Sequence, residues 1–153
     1  MKVRRAGPAD FDAVRPLVAL LHAHEELPPA PETDHALRRL LANPRLGRVL
    51  VGEDDTGALL GYVVLGFGFS LEFHGTDAFV DELFVLEAHR GHGVGALLMA
   101  AAEGECRSIG IHALHLEVTH ANPAAALYER QGYKRHQRHL MTKWLAKDGH
   151  DPD

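Results

Sequence analysis

The residues best suited to chemistry in this chain are gathered in one short run, Arg90-Gly91-His92-Gly93-Val94-Gly95. Glycines let backbone approach a ligand closely and adopt conformations closed to other residues, and a helix start offers unpaired amide donors to negative oxygens. Arg90 adds a guanidinium suited to phosphate. An apolar strand pattern precedes the run and a helical one follows, so it predicts a phosphate-compatible turn. It lacks the Gly-Lys-Ser or Gly-Lys-Thr ending of a nucleotide phosphate loop. Its glycines alternate at 91, 93 and 95 after several antiparallel-looking elements, unlike Gly-x-Gly-x-x-Gly in an early dinucleotide-binding unit. A purely structural tight turn is the remaining alternative.

Other reactive residues are scattered. Asp81 and Glu82 are adjacent in a predicted strand, where alternation sends neighbours to opposite faces, so one carboxylate is expected in a cleft and the other elsewhere. The twelve histidines show no ligand spacing: His22 and His24 do not share a helix face, and His112 with His115, like His136 with His139, point apart on a strand. No metal site is expected. The single cysteine, Cys106, falls in a helical pattern and reads as packed rather than nucleophilic.

The elements that must position these groups follow from periodicity. Lys2–Arg5 is a short edge strand. Helices are predicted from Asp10, with Phe11, Val14, Leu17, Val18, Leu20 and Leu21 at helical spacing, and over 33–43, separated by the stiff Leu27-Pro28-Pro29-Ala30-Pro31. Arg48–Glu53 and Ala58–Gly66 form a hairpin about Asp54-Asp55-Thr56-Gly57. The stretch 67–77 reads as irregular, 78–85 as a strand, 94–109 as a helix and 113–118 as a strand. Asn122-Pro123 opens a helix that Gly132 stops, and 133–145 is expected to hold one or two final strands. The order is mixed α/β. One domain is expected over 1–147, with a frayed polar tail at 148–153.

At 153 residues, 46% hydrophobic and 24% charged, the chain reads as globular; a net charge of −5 argues against a nucleic-acid surface and leaves cationic partners open. No apolar run approaches a membrane span, and one cysteine suits a reducing compartment, so a cytoplasmic protein is expected.

Two motifs in order carry a resemblance. Arg90, Gly93 and Gly95 after Asp81-Glu82-Leu83-Phe84-Val85, followed by Asn122-Pro123-Ala124-Ala125-Ala126-Leu127-Tyr128-Glu129-Arg130-Gln131-Gly132-Tyr133, resemble the GNAT superfamily of acyl-CoA N-acyltransferases. The likeness extends more loosely over nearly the whole chain. Glu87 stands where members often carry proline.

The resemblance implies a mostly antiparallel sheet with a splayed pair of parallel strands and flanking helices. It implies acetyl-CoA as acyl donor, held by Arg90, Gly91, His92, Gly93, Val94 and Gly95 and by the backbone of Leu83, Phe84 and Val85. It implies direct attack of an amine on the thioester carbonyl, with Tyr128 as general acid beside the departing sulfur and Asn122 near the cofactor arm. Asn122 also suits an ordinary helix cap. A base or water relay must keep the amine neutral; Glu82 leads for that role and Asp81 competes.

The strand around Asp81 and the His24-Glu25-Glu26 stretch look particularly like small-amine and diamine acetyltransferases of the spermidine/spermine type. Glu25, Glu26 and Asp81 then form an acidic approach for a diamine, polyamine or lysine-like amine. A protein amine as acceptor, or a catalytically inactive acyl-CoA-binding or interaction domain, are the alternatives. A homodimer is expected from the same resemblance.

Overall fold

The computed structural model describes residues 1–119, 122 and 124–146. Its apolar runs pair into a five-stranded sheet in chain order: β1 (Lys2–Arg5), β2 (Gly47–Glu53), β3 (Leu59–Ser70), β4 (Gly75–Val85) and β5 (Ala113–Leu116). The first four strands are antiparallel neighbours and β5 runs parallel to β4, so the expected mostly antiparallel sheet with one parallel pair forms. Helices α1 (Phe11–His24) and α2 (Pro31–Ala42) belong to one face, and α3 (Val94–Ser108) to the other. Covered on both sides, the centres of β2 and β3 carry unbroken buried runs such as Tyr62 to Leu65.

The first core is the α1 stripe of Phe11, Val14, Leu17, Val18 and Leu21 with Leu37 and Leu41 of α2, packed on Val49, Val51, Tyr62, Val64 and Phe84. The Arg38 guanidinium lies 3.6 Å from the Phe11 ring centroid and ties α2 to the start of α1. On the other face α3 buries Val94, Leu98, Met99, Ala102 and Cys106. Leu98 packs over Gly61, where a Cβ would stand 2.5 Å from the Phe84 carbonyl oxygen. Only glycine permits β3 and β4 to approach so closely there.

The chain divides into two compact units, Met1–Glu117 and Val118–Asp153. The first holds the sheet and α1 to α3. Taken by itself, the second contains α4 (Ala124–Arg130), ended by Gly132 at φ 98°.

Three expectations are corrected. The stretch 67–77 is not irregular: β3 continues through Ser70 and β4 begins at Gly75, with Gly66 opposite Phe79 and Gly68 opposite Asp77. These glycines read as breakers in sequence, yet Gly68 makes room for a side chain, since its Cβ would lie 2.8 Å from an Asp77 carboxylate oxygen. The second strand of the hairpin, expected to end at Gly66, is correspondingly longer and runs to Ser70.

The final strands expected over 133–145 do not form among the described residues. A strand is a pairing rather than a local state, and this segment has no ladder partner; Leu140, Met141 and Leu145 are instead exposed. Pro123 and the polar tail expected at 148–153 lie outside the described residues.

Candidate functional site

Parallel pairing of β4 with β5 stops at Val80 opposite Leu116, whereas β4 continues to Val85. Beyond that point the β5-side edge of β4 has no ladder partner among the described residues. The Leu86 amide donates to the Leu60 carbonyl at 2.9 Å, and Phe84 pairs with Tyr62, so these residues spend their backbone groups on β3. Alternation therefore turns the N–H and C=O groups of Leu83 and Val85 toward the open edge. Arg90 Nε confirms the direction by donating to the Val85 carbonyl at 2.9 Å. The guanidinium of Arg90 thus serves as a strut, 5.5 Å over the Phe84 ring, and its terminal nitrogens have no other hydrogen-bond partner among the described residues.

From Arg90 the chain turns through Gly91 at φ 78° and Gly93 at φ 82°, the left-handed region in which a Cβ is penalised. Gly93 caps α3 without a side chain, and the first turn of the helix carries no acidic residue. The earliest helical bond runs from the Leu97 amide to the Gly93 carbonyl at 3.0 Å. Among the described residues the amides of Gly91 through Ala96 make no backbone hydrogen bond of good geometry, although a weakly bonded turn runs over Arg90 to Gly93. Val94 is buried and anchors the turn, a Cβ at Gly95 would meet the Val85 side chain at 3.8 Å, and the His92 side chain is exposed. The loop is therefore a row of open N–H donors at a helix start, one loop-length from the open edge of β4, and it fits a phosphorylated ligand.

The carboxylates depart from the sequence reading. Val64 pairs with Glu82 and Leu65 with Val80, leaving Asp81 as the extra residue of a β-bulge. The bulge breaks strict alternation, so Asp81 and Glu82 both belong to the α1/α2 face rather than to opposite ones. Glu82 Oε1 accepts the Tyr62 hydroxyl at 3.0 Å, and Oε2 lies 2.5 Å from His22 Nε2 on α1. Asp81 is exposed beside Val64 and Phe79.

Tyr62 has no exposed surface, and its hydroxyl pKa is driven far above the usual phenol range. Burial is the largest cause, followed by the charge of Glu82, its hydrogen bond, and the charges of Glu25 and Asp81. Three carboxylates thus converge on one neighbourhood. Glu25 caps α1 and is exposed; Glu26, at φ 60°, turns the chain away and is also exposed.

His22 is the residue that sequence reasoning missed. Its partner is 60 positions distant, and helical spacing alone classed it with His24 as scattered. His115 was missed likewise. It approaches Asp77 at 3.0 Å and stacks against Phe73 and Phe79 with ring centroids 4.5 and 4.8 Å apart. Asp77 is only 6% exposed. Cys106 is buried, and burial raises its thiol pKa, so it is a packed group rather than a nucleophile.

In the second unit, the Asn122 side chain accepts the Ala124 amide at 2.9 Å, the capping geometry. Tyr128 is half-buried, meets Tyr133 edge to face with centroids 5.8 Å apart, and has its pKa raised by burial. Its hydroxyl is therefore protonated at neutral pH.

A family model described as the acetyltransferase (GNAT) family matches residues 17–133. An integron cassette protein from the mobile metagenome of Cole Harbour Salt Marsh is 31% identical, with TM-score 0.82 over 94% of this chain and 90% of that one. At 20% identity, ribosomal-protein-alanine N-acetyltransferase from Brucella melitensis biovar Abortus 2308 matches with TM-score 0.73 over 94% of this chain and all (100%) of that one. A transcriptional regulator from Bacillus halodurans C-125, also 20% identical, matches with TM-score 0.78 over 94% and 99%. The last two share the fold. No curated protein matches the chain.

Proposed function

The chain belongs to the acetyltransferase (GNAT) family, and from that premise we propose that it transfers the acetyl group of acetyl-CoA directly to a primary amine. The observation that carries this reading is the open edge of β4 at Leu83 and Val85, joined through Arg90 to the amide-lined turn Gly91 to Gly95. The residues fit the donor: the turn and the free terminal nitrogens of Arg90 bind pyrophosphate oxygens, and the β4 edge binds the pantetheine arm in the manner of an added strand. Acetyl-CoA supplies the thioester carbonyl. The backbone N–H groups of Leu83 and Val85, fixed before reaction, are suited to the charge that develops on its oxygen.

Glu82 receives a proton from the acceptor ammonium, with His22 sharing it at 2.5 Å and passing it toward solvent. Tyr62 stays protonated and always donates to Glu82, leaving Oε2 as the working oxygen. The amine nitrogen then bonds to the acyl carbon as the carbon–sulfur bond breaks. Of the two protons that the nitrogen loses, one goes to the Glu82–His22 pair and the other to solvent, while Tyr128, as general acid, gives its own proton to the departing sulfur and regains one from solvent. Support for Tyr128 comes from its place in the second motif and from the protonation that burial enforces. Asn122 shapes the start of α4 and lies on the cofactor side in this reading. Glu25 and Asp81 draw the cation in.

The comparisons single out no diamine-type or spermidine-type relationship, and the acceptor is treated below. A homodimer in the cytoplasm completes the reading; light scattering at micromolar concentration measures the first. Turnover of acetyl-CoA across amines, amino acids and peptides, with products identified by mass, tests the function. An acetylated primary amine is expected, and acetyl-CoA binding without any product would favour a binding domain.

A further inference from the structure

Resting on the acetyl-transfer reading, we propose that the acceptor is a primary amine on a single apolar body, seated over β3 and β4, and not a polyamine. The α1/α2 face of the sheet is not fully covered. Past α2 it opens into a groove of about 380 Å³ bordered by Leu40, Val64, Gly66, Gly68, Phe79 and Asp81, toward the lower end of the ~300–1,000 Å³ of small-molecule sites.

Its chemistry is lopsided. Leu40 and Phe79 form apolar walls, and the two glycines leave the floor without side chains. The single charged group is Asp81, pushed onto this face by the bulge, beside Glu82, which pairs with the bordering Val64. A cation is therefore stabilised at one end only, the end next to the proposed base. The remaining carboxylate of β4, Asp77, is already bound to His115 and lies over Gly68. It braces the wall, since His115 stacks on Phe79. A second ammonium lying along the groove would find no carboxylate partner among its bordering residues and would gain nothing from the apolar walls. An alkyl or aryl body would bury apolar surface there instead.

The test compares kcat/KM for 2-phenylethylamine, benzylamine and hexylamine with that for spermidine, putrescine and lysine, and repeats the series with Gly66→Val. A Cβ at Gly66 meets nothing within 4 Å and the backbone there is unstrained, so the variant fills the groove without disturbing the fold, which a melting curve checks. The apolar amines should exceed spermidine by about tenfold or more, and Gly66→Val should raise their KM about tenfold with acetyl-CoA affinity unchanged. Asp81→Asn should raise KM for every amine. Polyamines turned over faster than apolar amines, or a Gly66→Val enzyme with unaltered KM, would overturn the groove assignment and leave the acetyltransferase reading intact. Acetyl-CoA binding with no amine acetylated would overturn both.

Discussion

Replacing Glu82 with Gln separates its charge from its packing. The carboxylate is held by two contacts, the Tyr62 hydroxyl at 3.0 Å and His22 Nε2 at 2.5 Å. Glutamine has the same shape: its carbonyl oxygen still accepts from Tyr62, and its NH₂ meets His22 as the neutral, accepting tautomer. The core that surrounds Tyr62 is untouched, so the melting temperature should move by no more than about 2 °C, less than about 0.5 kcal/mol for a domain of this size. What disappears is a proton acceptor. Positioned general bases contribute about 10²–10⁴-fold, so kcat should fall at least about 100-fold, or about 2.7 kcal/mol of barrier. Acetyl-CoA affinity should stay within about twofold, because Glu82 faces α1 and not the edge that binds the donor. Steady-state kinetics from pH 6 to about 10 read the result: the residual rate should climb steeply with pH, since only amine already deprotonated in solution can attack. A variant within threefold of wild type across that range would refute the base assignment.

Other outcomes follow from the same geometry. Tyr128→Phe should lower kcat by about 10–100-fold with acetyl-CoA Kd within twofold, measured by single-turnover kinetics and calorimetry. Gly61→Ala places a methyl 2.5 Å from the Phe84 carbonyl and should cost about 1–3 kcal/mol of stability by urea titration, as overpacking does. Hydrogen bonds from Arg4 hold the Asp10 carboxyl below the usual range. Because the folded pKa is the lower one, the pair stabilises fully above the unfolded value near ~3.9 and loses that contribution as pH falls through the folded pKa. Urea midpoints of wild type and Asp10→Asn should accordingly differ at pH 7 and draw together as pH falls through the folded pKa.

What the sequence revealed was local. The Asp54 turn was readable because one side chain organises it, Oδ1 accepting from the Thr56 amide, the Thr56 hydroxyl and the Ala58 amide, with Gly57 at φ 85°. Gly91 and Gly93 were readable for the same reason: the conformation they permit is a property of the residue. The α1 stripe likewise matches its buried positions except at Leu20, which is exposed, whereas of Leu97, Leu98 and Ala101, the residues whose spacing marks α3 as a packed helix, only Leu98 is fully buried. Properties that depend on distant pairing were not legible. The bulge at Asp81 arises from the register of β3 against β4, and it alone places both carboxylates on one face. His22 and His115 acquire partners 60 and 38 positions away, contacts that no periodicity encodes. Residues 133–146 carry strand-like composition, but composition supplies no partner strand.

Acetyl transfer in the proposed reaction depends first on the amides of Gly91 to Gly95 as the donor site. Calorimetric titration of acetyl-CoA into wild type and into Gly93→Val tests this directly, because φ 82° at Gly93 strains any β-branched residue and tilts the amides it aligns. Saturable binding by the wild type is expected, with at least about tenfold weaker binding by a variant that still melts cooperatively. Equal affinities in the two proteins would contradict the donor-site assignment.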